Sequence, residues 1–507
     1  MNGNLFSYFQ GHICNAESVA IDDTKGRVYT YEDLVRLSGQ IANVLVERGV
    51  RPGDRVMVQV EKSVMAVCLY LATLRAGAVF LPLNTAYTYY EVKYFVLDAE
   101  PALFICDPSH ERSLAQIVGR VGAQIETLAA DGRGSLFEAS SVASYAFPTV
   151  IREADDLAAI LYTSGTTGRS KGAMLTHGNL LSNALTLVDA WAFTEQDVLI
   201  HALPIYHTHG LFVAINVSLL SGAAIRFLRK FDPDLIIDLM KEATVLMGVP
   251  TFYVRLLQSP RLDSVVSGMR LFVSGSAPLL AETHVEWQRR TGHAILERYG
   301  MTETNMNTSN PYDGLRVAGT VGPPLPGVSI RITNPGNGAS VGNDEIGMIE
   351  VKGPNVFAGY WRLPEKTAAE MRPDGYFITG DLGKIDQRGY LHILGRDKDL
   401  VITGGFNVYP KEVEKEIDTL PGVVESAVIA VPHPDFGEGV TAVVVRGLGA
   451  NIAEDDVLAA VQNRLAKFKI PKRIVFIDEL PRNAMGKVQK NVLRDKFKDL
   501  YLDTAAV

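Results

Sequence analysis

Four hydroxyl side chains, Thr163, Ser164, Thr166 and Thr167, stand among Gly165, Gly168 and Gly172, and Lys171 closes the run. Backbone amides freed by glycine, short hydroxyls and one ammonium are the donors that converge on a polyphosphate. The run follows an apolar stretch, Leu157 to Leu161, that reads as a buried strand, and it precedes Asn179 to Val188, which reads as a helix. Strand, glycine-rich turn and helix form the layout expected of a nucleotide site. A plain surface loop would also be rich in Ser, Thr and Gly, but it would have no use for Lys171 inside the cluster. The Walker pattern G-x-x-x-x-G-K-[ST] fails, because Ser170 precedes Lys171 and Gly172 follows it.

The elements that would carry this loop alternate along the chain. Thr30 to Arg48 predicts a helix, with Thr30 and Asp33 as a capping box, Leu34, Leu37, Ile41 and Leu45 on one face, and Gly49 as the stop. A strand in RPGDRVMVQV, a helix near Ser63 to Ala76, a strand at Val79 to Leu83, a helix near Glu91 to Asp98 and a strand at Ala102 to Cys106 follow. Such alternation predicts an α/β protein with open, mainly parallel sheets. A chain of 507 residues exceeds one ordinary core, so at least two domains are expected. Beyond residue 398 the pattern becomes that of a small α+β unit, with helices near Lys411 to Asp418 and Glu454 to Ala466 and strands at Ser426 to Val431, Val440 to Arg446 and Arg473 to Ile477.

Composition narrows the function. Apolar residues at 47% and charged residues at 21% describe a soluble globular chain, and a net charge of −8 offers no footprint for nucleic acid. Cys14, Cys68 and Cys106 are widely spaced, which suits thiols in a reducing compartment, and the N-terminus lacks the basic start of a secretory signal. Cytoplasm is the expected location. The apolar run Val64 to Leu74 ends at Arg75, well short of the roughly 20 residues that span a bilayer. His207 and His209 flank Thr208, but no acidic or cysteine third ligand stands at zinc spacing.

The loop resembles the phosphate loop of the adenylate-forming superfamily, which holds acyl-CoA synthetases, luciferases and the adenylation domains of peptide synthetases. The resemblance spans essentially the whole chain and continues through SGSAPL (Ser274 to Leu279), YGMTE (Tyr299 to Glu303), FITGD (Phe377 to Asp381), GRDKD (Gly395 to Asp399) and PRNAMGK (Pro481 to Lys487). It implies a large N-terminal domain over residues 1–395 with a β-rich subdomain, a hinge at 396–398 centred on Lys398, and a mobile α+β domain over 399–507. It also implies ATP, Mg2+ and coenzyme A. By the same resemblance Gly275, Ser276, Ala277, Glu297, Arg298 and Tyr299 border the nucleotide, with Tyr299 stacked on adenine. Thr302 bonds the α-phosphate, Thr163 and Glu303 hold magnesium, and Asp381 and Arg396 take the ribose. His207 lines the acyl pocket, Gly404 and Gly405 border the thiol tunnel, and Lys487 enters during adenylation, while Lys490 falls off the pattern and reads as surface.

The implied reaction runs in two steps, because a carboxylate has no leaving group a thiol can displace. A carboxylate oxygen attacks the α-phosphorus of ATP and pyrophosphate departs; a thiolate then attacks the acyl carbon and AMP departs. Catalysis of the first step is placement and charge neutralisation. Acylation of Lys487 would remove the charge that step needs.

The resemblance also implies which residues line the acyl pocket, and their types indicate the acid. Arg298 precedes Tyr299 where a cation facing an apolar acid would be buried at a cost of several kcal/mol. Arg255 on the helix after Pro250, Ser276 and His207 add donors, and Met306 and Thr208 shorten the cavity. A planar guanidinium holds both oxygens of a carboxylate, so the lining predicts a short diacid such as malonate or methylmalonate. The alternatives are pairing of the arginines with internal acids such as Glu297, a ligase for another short acid, an acyl-phosphate-forming phosphotransferase, and a non-catalytic nucleotide module.

Overall fold

The computed structural model describes residues 2–163, 170–404, 406–462, 464–483 and 486–501. The expectations for Ser164, Gly165, Thr166, Thr167, Gly168 and Gly405 therefore lie outside the described residues. Backbone contacts divide the chain into two compact units, Met1–Ser329 with Val351–Phe377, and Ile330–Glu350 with Ile378–Val507.

Among the described residues, the first unit is built on two sheets. One has eight strands, in the order Asn305–Ser309, Leu296–Met301, Leu271–Ser274, Val245–Gly248, Val198–His201, Ala224–Phe227, Val19–Asp22 and Val28–Thr30. The other has seven, in the order Gly359–Tyr360, Lys171–Thr176, Leu157–Thr163, Val79–Pro82, Arg55–Gln59, Leu103–Cys106 and Gln124–Thr127. In the eight-stranded sheet the two edge pairs are antiparallel and the interior pairs parallel; in the seven-stranded sheet the pairs from Leu157–Thr163 to Gln124–Thr127 are parallel, as helical crossovers require, and the two pairs made by Lys171–Thr176 are antiparallel.

The local rules hold where capping and periodicity agree. The helix Tyr31–Glu47 starts on the Thr30/Asp33 capping box, buries Leu34, Ile41 and Leu45, and is followed by Gly49 at φ +83°. The helix Val64–Arg75 is buried on every side, with Ser63 as its N-cap. Arg75 is buried with it and donates to the carbonyls of Val35, at 2.8 Å, and Phe147, at 2.6 Å. Among the described residues, no helix is long and apolar enough to cross a membrane.

The layout around the phosphate loop differs from the expected strand, turn and helix. Lys171–Thr176 is a strand, paired antiparallel with Leu157–Thr163, and the expected helix follows it as His177–Ala190. Gly172 and Ala173 have weak strand propensity, so the element exists through pairing rather than preference. At Gly172 a β-carbon would lie 2.9 Å from Ile160 Cγ2, so the close approach of the hairpin needs glycine. A strand thus stands between Ser170 and the helix.

The second unit contains a four-stranded sheet, ordered Ser329–Thr333, Gly347–Lys352, Phe377–Ile385 and Leu391–Arg396. Its other sheet is ordered Phe406–Val408, Val401–Thr403, Gly437–Arg446 and Val423–His433, with Arg473–Ile477 parallel to Gly437–Arg446. The helices Pro410–Asp418 and Glu454–Gln462 bury Val413, Ile417, Val457 and Val461 with Val428 and Val440, while Leu493 and Tyr501 pack with Ala427, Ile429 and Val443. Strand alternation therefore supplies two apolar faces.

Candidate functional site

Four parallel strands of the eight-stranded sheet end side by side. Their register places Met247 against His201, Gly248 against Ser274, and Ser274 against Glu297. The chain leaving Leu271–Ser274 delivers Ser276 and the neighbouring strand Leu296–Met301 delivers Arg298, at the edge where open α/β sheets bind ligands.

Arg298 is only 3% exposed, and its Nε and Nη2 have no hydrogen-bond partner among the described residues. Among the described residues, no carboxylate forms an ion pair with it. Adjacent strand residues face opposite sides, and Glu297 uses Oε1 to accept the Leu279 N–H at 3.1 Å. Internal pairing with Glu297, the alternative weighed above, does not occur. Burial pushes the guanidinium down to about 9. Ser276 sits in the left-handed region at φ +73°, and its Oγ is hydrogen-bonded with Nδ1 of His209 at 3.2 Å. His209 is fully buried in a π-helical turn, His209–Ile215, with Nε2 unpartnered among the described residues. Burial and then the Arg298 charge hold it well below its ordinary value, so the imidazole is neutral.

His207 is half-buried and its Nδ1 accepts the His209 N–H at 3.3 Å. Met306 is buried, and so is Thr208, whose Oγ1 has no partner among the described residues. Arg255 does not join this group. It is exposed on the helix Pro250–Leu256 with its guanidinium 5.8 Å from the centre of the Phe231 ring. The expected pair of arginines is one buried arginine, because the helix turns position 255 outward while burying Tyr253 and Leu256. The histidine that meets Ser276 is His209, which the sequence marked less strongly than His207.

The phosphate-side group starts from the hairpin, which sets Thr163 opposite Lys171. Thr163 Oγ1 lies 3.5 Å from Glu303 Oε1. Tyr360, unmarked by sequence, places its hydroxyl 3.1 Å from Glu303 and 2.7 Å from Glu370. Lys171 stands 4.0 Å above the Tyr360 ring and 3.5 Å from Glu370. A hydroxyl and a carboxylate oxygen converging in this way are the hard donors a magnesium ion takes, so these residues fit it. Tyr299 and Thr302 are half-buried, on and just after the strand Leu296–Met301, and Ala277 is half-buried after Ser276.

In the second unit Arg396 Nε donates to Asp381 Oδ1 at 2.8 Å, and Arg396 Nη1 donates to the Thr379 carbonyl at 3.0 Å. Asp381 lies in the middle of a nine-residue strand, whose pairing continues to Ile385. Lys487 is accessible to solvent, yet crowding by protein and then Arg396 lower its ammonium to about 8; Asp381, Asp399 and Lys398 are its other charged neighbours. Lys398 lies in the 3-10 turn Asp397–Asp399, and Gly404, at φ +55°, donates to the Phe436 carbonyl at 2.9 Å. Lys490 is not the free surface lysine expected: its Nζ lies 2.5 Å from the buried Glu414.

This fold and site define the AMP-binding enzymes, and the chain belongs to that family. Residues 14–361 match the AMP-binding enzyme family and 412–487 match the AMP-binding enzyme C-terminal domain. In particular, the chain is similar to ATP-bound MatB from Rhodopseudomonas palustris, 66% identical over 99% of this chain and 100% of that one, with a TM-score of 0.98. It is 34% identical to a malonate–CoA ligase of Arabidopsis thaliana, over 98% of this chain and 90% of the relative. It is 36% identical to a feruloyl-CoA synthase of an Amycolatopsis species, over 93% and 94% respectively.

Proposed function

We propose that this chain is an AMP-forming acid–thiol ligase that converts malonate, and also methylmalonate, with ATP and coenzyme A into the acyl-CoA, AMP and pyrophosphate. The observation that carries the acid assignment is the buried Arg298 guanidinium, which has no carboxylate partner among the described residues. A feruloyl or other apolar acid would leave that charge buried and uncompensated, at a cost of several kcal/mol. The distal carboxylate of a short diacid supplies the missing anion, with Ser276 and neutral His209 as further hydrogen-bond partners. Similarity to malonate–CoA ligase supports the same reading.

In the first step a malonate oxygen attacks the α-phosphorus, the bond to the bridging oxygen of pyrophosphate breaks, and malonyl-AMP forms. In the second a thiolate sulfur attacks the acyl carbon and AMP leaves with the electron pair. Thr163 and Glu303 would hold magnesium, which when bound would supply charge neutralisation on the phosphates. Lys171 adds a fixed cation, Lys487 serves the adenylation half-reaction, Thr302 orients the α-phosphate, Tyr299 and the Gly275–Ala277 turn flank adenine, and Asp381 and Arg396 take the ribose. His207 borders the acid and Gly404 the thiol. The functional division is 1–395, a hinge at 396–398 and 399–507. The unpaired Cys14, Cys68 and Cys106 support a reducing, cytoplasmic setting. An accessible amine with a lowered pKa also makes Lys487 a target for regulatory acylation.

The test is an AMP-release assay with malonate, methylmalonate, succinate and acetate, each with and without coenzyme A. Malonate is expected to lead the series. Acetate outcompeting malonate would overturn the acid assignment, and release of ADP in place of AMP would overturn the ligase.

A further inference from the structure

Lys62 is a lysine buried without an acid among the described residues. It follows the strand Arg55–Gln59 of the seven-stranded sheet and is 6% exposed. Its Nζ reaches across to the end of a strand in the eight-stranded sheet, 2.7 Å from Nδ1 of His201 and 3.0 Å from the His201 carbonyl. The ammonium also lies 4.3 Å from the centre of the Phe227 ring. No carboxylate forms an ion pair with it among the described residues. Burying such a group costs several kcal/mol, and an apolar side chain of similar length would join the two sheets without that cost.

The contacts continue toward the acyl pocket. His201 Nε2 lies 2.9 Å from the Gly210 carbonyl. A carbonyl can only accept, so Nε2 carries the proton and Nδ1 is left to accept from Lys62. Gly210 belongs to the π-helical turn His209–Ile215, and π-helical geometry is uncommon enough to need specific support. The turn is tightly seated, since a β-carbon at Gly210 would lie 2.0 Å from the Pro204 carbonyl oxygen. The residue before Gly210 is His209, the partner of Ser276 beside Arg298.

We propose that Lys62 is a positioning residue for acid recognition: its hydrogen bond fixes the Nε2–H tautomer of His201, which holds the Gly210 carbonyl and so presents His209 to Ser276. Lys62 touches no substrate in this scheme; it acts through His201. Burial drives both Lys62 and His201 well below their ordinary values, which favours the neutral imidazole that the scheme needs. The inference rests on the malonate reading above.

The experiment is steady-state kinetics of Lys62→Met in the full-length chain, with malonate and ATP varied in turn. The expected result is a malonate KM raised by about fivefold or more while the ATP KM changes by less than about twofold. A smaller rise in malonate KM, or malonate and ATP KM rising together as in general loosening of the unit, overturns the proposal. Should Lys62→Met not fold, 15N-histidine NMR of the wild-type chain decides, with His201 assigned by its loss in His201→Asn. A neutral Nε2–H ring near pH 8 whose Nδ1 shift shows an accepted hydrogen bond supports the proposal; an Nδ1 with the shift of a free imidazole nitrogen, an Nδ1–H ring or an imidazolium overturns it. Wild-type preference for acetate would defeat the malonate reading itself, whereas an unmoved malonate KM in Lys62→Met defeats only the role of Lys62.

Discussion

The guanidinium of Arg298 lies against the backbone of Gly275, so close that a β-carbon at position 275 would sit 2.4 Å from Cζ. Gly275 follows the strand Leu271–Ser274, and Arg298 lies on the adjacent parallel strand Leu296–Met301. The missing side chain on one strand is thus the space in which the other keeps its charge. Gly275→Ala is expected to displace the guanidinium and raise the malonate KM by about tenfold or more. A crystal structure of the variant with Arg298 unmoved would remove the basis for this expectation.

Arg298→Met separates stability from recognition. A buried unpaired cation costs folding energy, so its replacement by an apolar chain of similar length is expected to leave Tm unchanged or higher. Malonate turnover should fall by about a hundredfold or more in the same protein. A large fall in Tm would show that Arg298 serves folding.

Lys487 sets an alkaline limit. Its ammonium is held at about 8, so the charge is present below that pH and lost above it. Malonate-dependent pyrophosphate release at saturating substrate is expected to decline between pH 7.5 and 9, by about tenfold per unit once the amine is largely neutral. Lys487→Arg, always charged, should lose that limb whatever its absolute rate. Identical alkaline limbs would assign the decline elsewhere.

His177 couples pH to the anchoring of the N-terminal helix. Its Nδ1 accepts the Leu5 N–H at 3.1 Å, and burial, then the Arg152 charge, lower it to about 4. Between pH 6.5 and 4 the unfolded chain binds a proton that the folded chain refuses. Stability is therefore fully present above 6.5 and lost as pH falls toward 4, by about 3 kcal/mol in total. In His177→Asn, whose Oδ1 can accept the same N–H, denaturant unfolding should show a correspondingly shallower acid loss. Parallel curves would exclude His177 as the source.

Lys398 tests the functional division. It lies in a single 3-10 turn between Arg396 and Leu400. Proline there fixes φ and removes a donor. Lys398→Pro is expected to spare malonyl-AMP formation and slow thioester formation by about tenfold or more. Equal loss in both half-reactions, measured by single-turnover assay, would argue against a hinge.

Much of this protein was legible locally. The Thr30/Asp33 cap, the Pro250 helix start, the strand Leu157–Thr163 and the donor-rich loop after it depend on residues within a turn or two of one another, which is the range over which capping, periodicity and composition act. The family motifs were equally readable, because each is a short run. What the residues alone did not disclose depends on pairing. Lys171–Thr176 is a strand because Leu157–Thr163 lies beside it, Asp381 sits mid-strand because Leu391–Arg396 extends the ladder, and Lys490 is engaged because Glu414 is buried beneath it.

The sequence by itself determined the α/β class, the family and the presence of a cation ahead of Tyr299. Only the tertiary structure decided that Arg298 is buried with no carboxylate partner among the described residues while Arg255 faces outward, that His209 is the partner of Ser276, and that Lys62 meets His201. The physical reason is distance along the chain: Lys62 and His201 are 139 residues apart, and what they do to each other depends on the order and register of two sheets, which no local run of residues encodes.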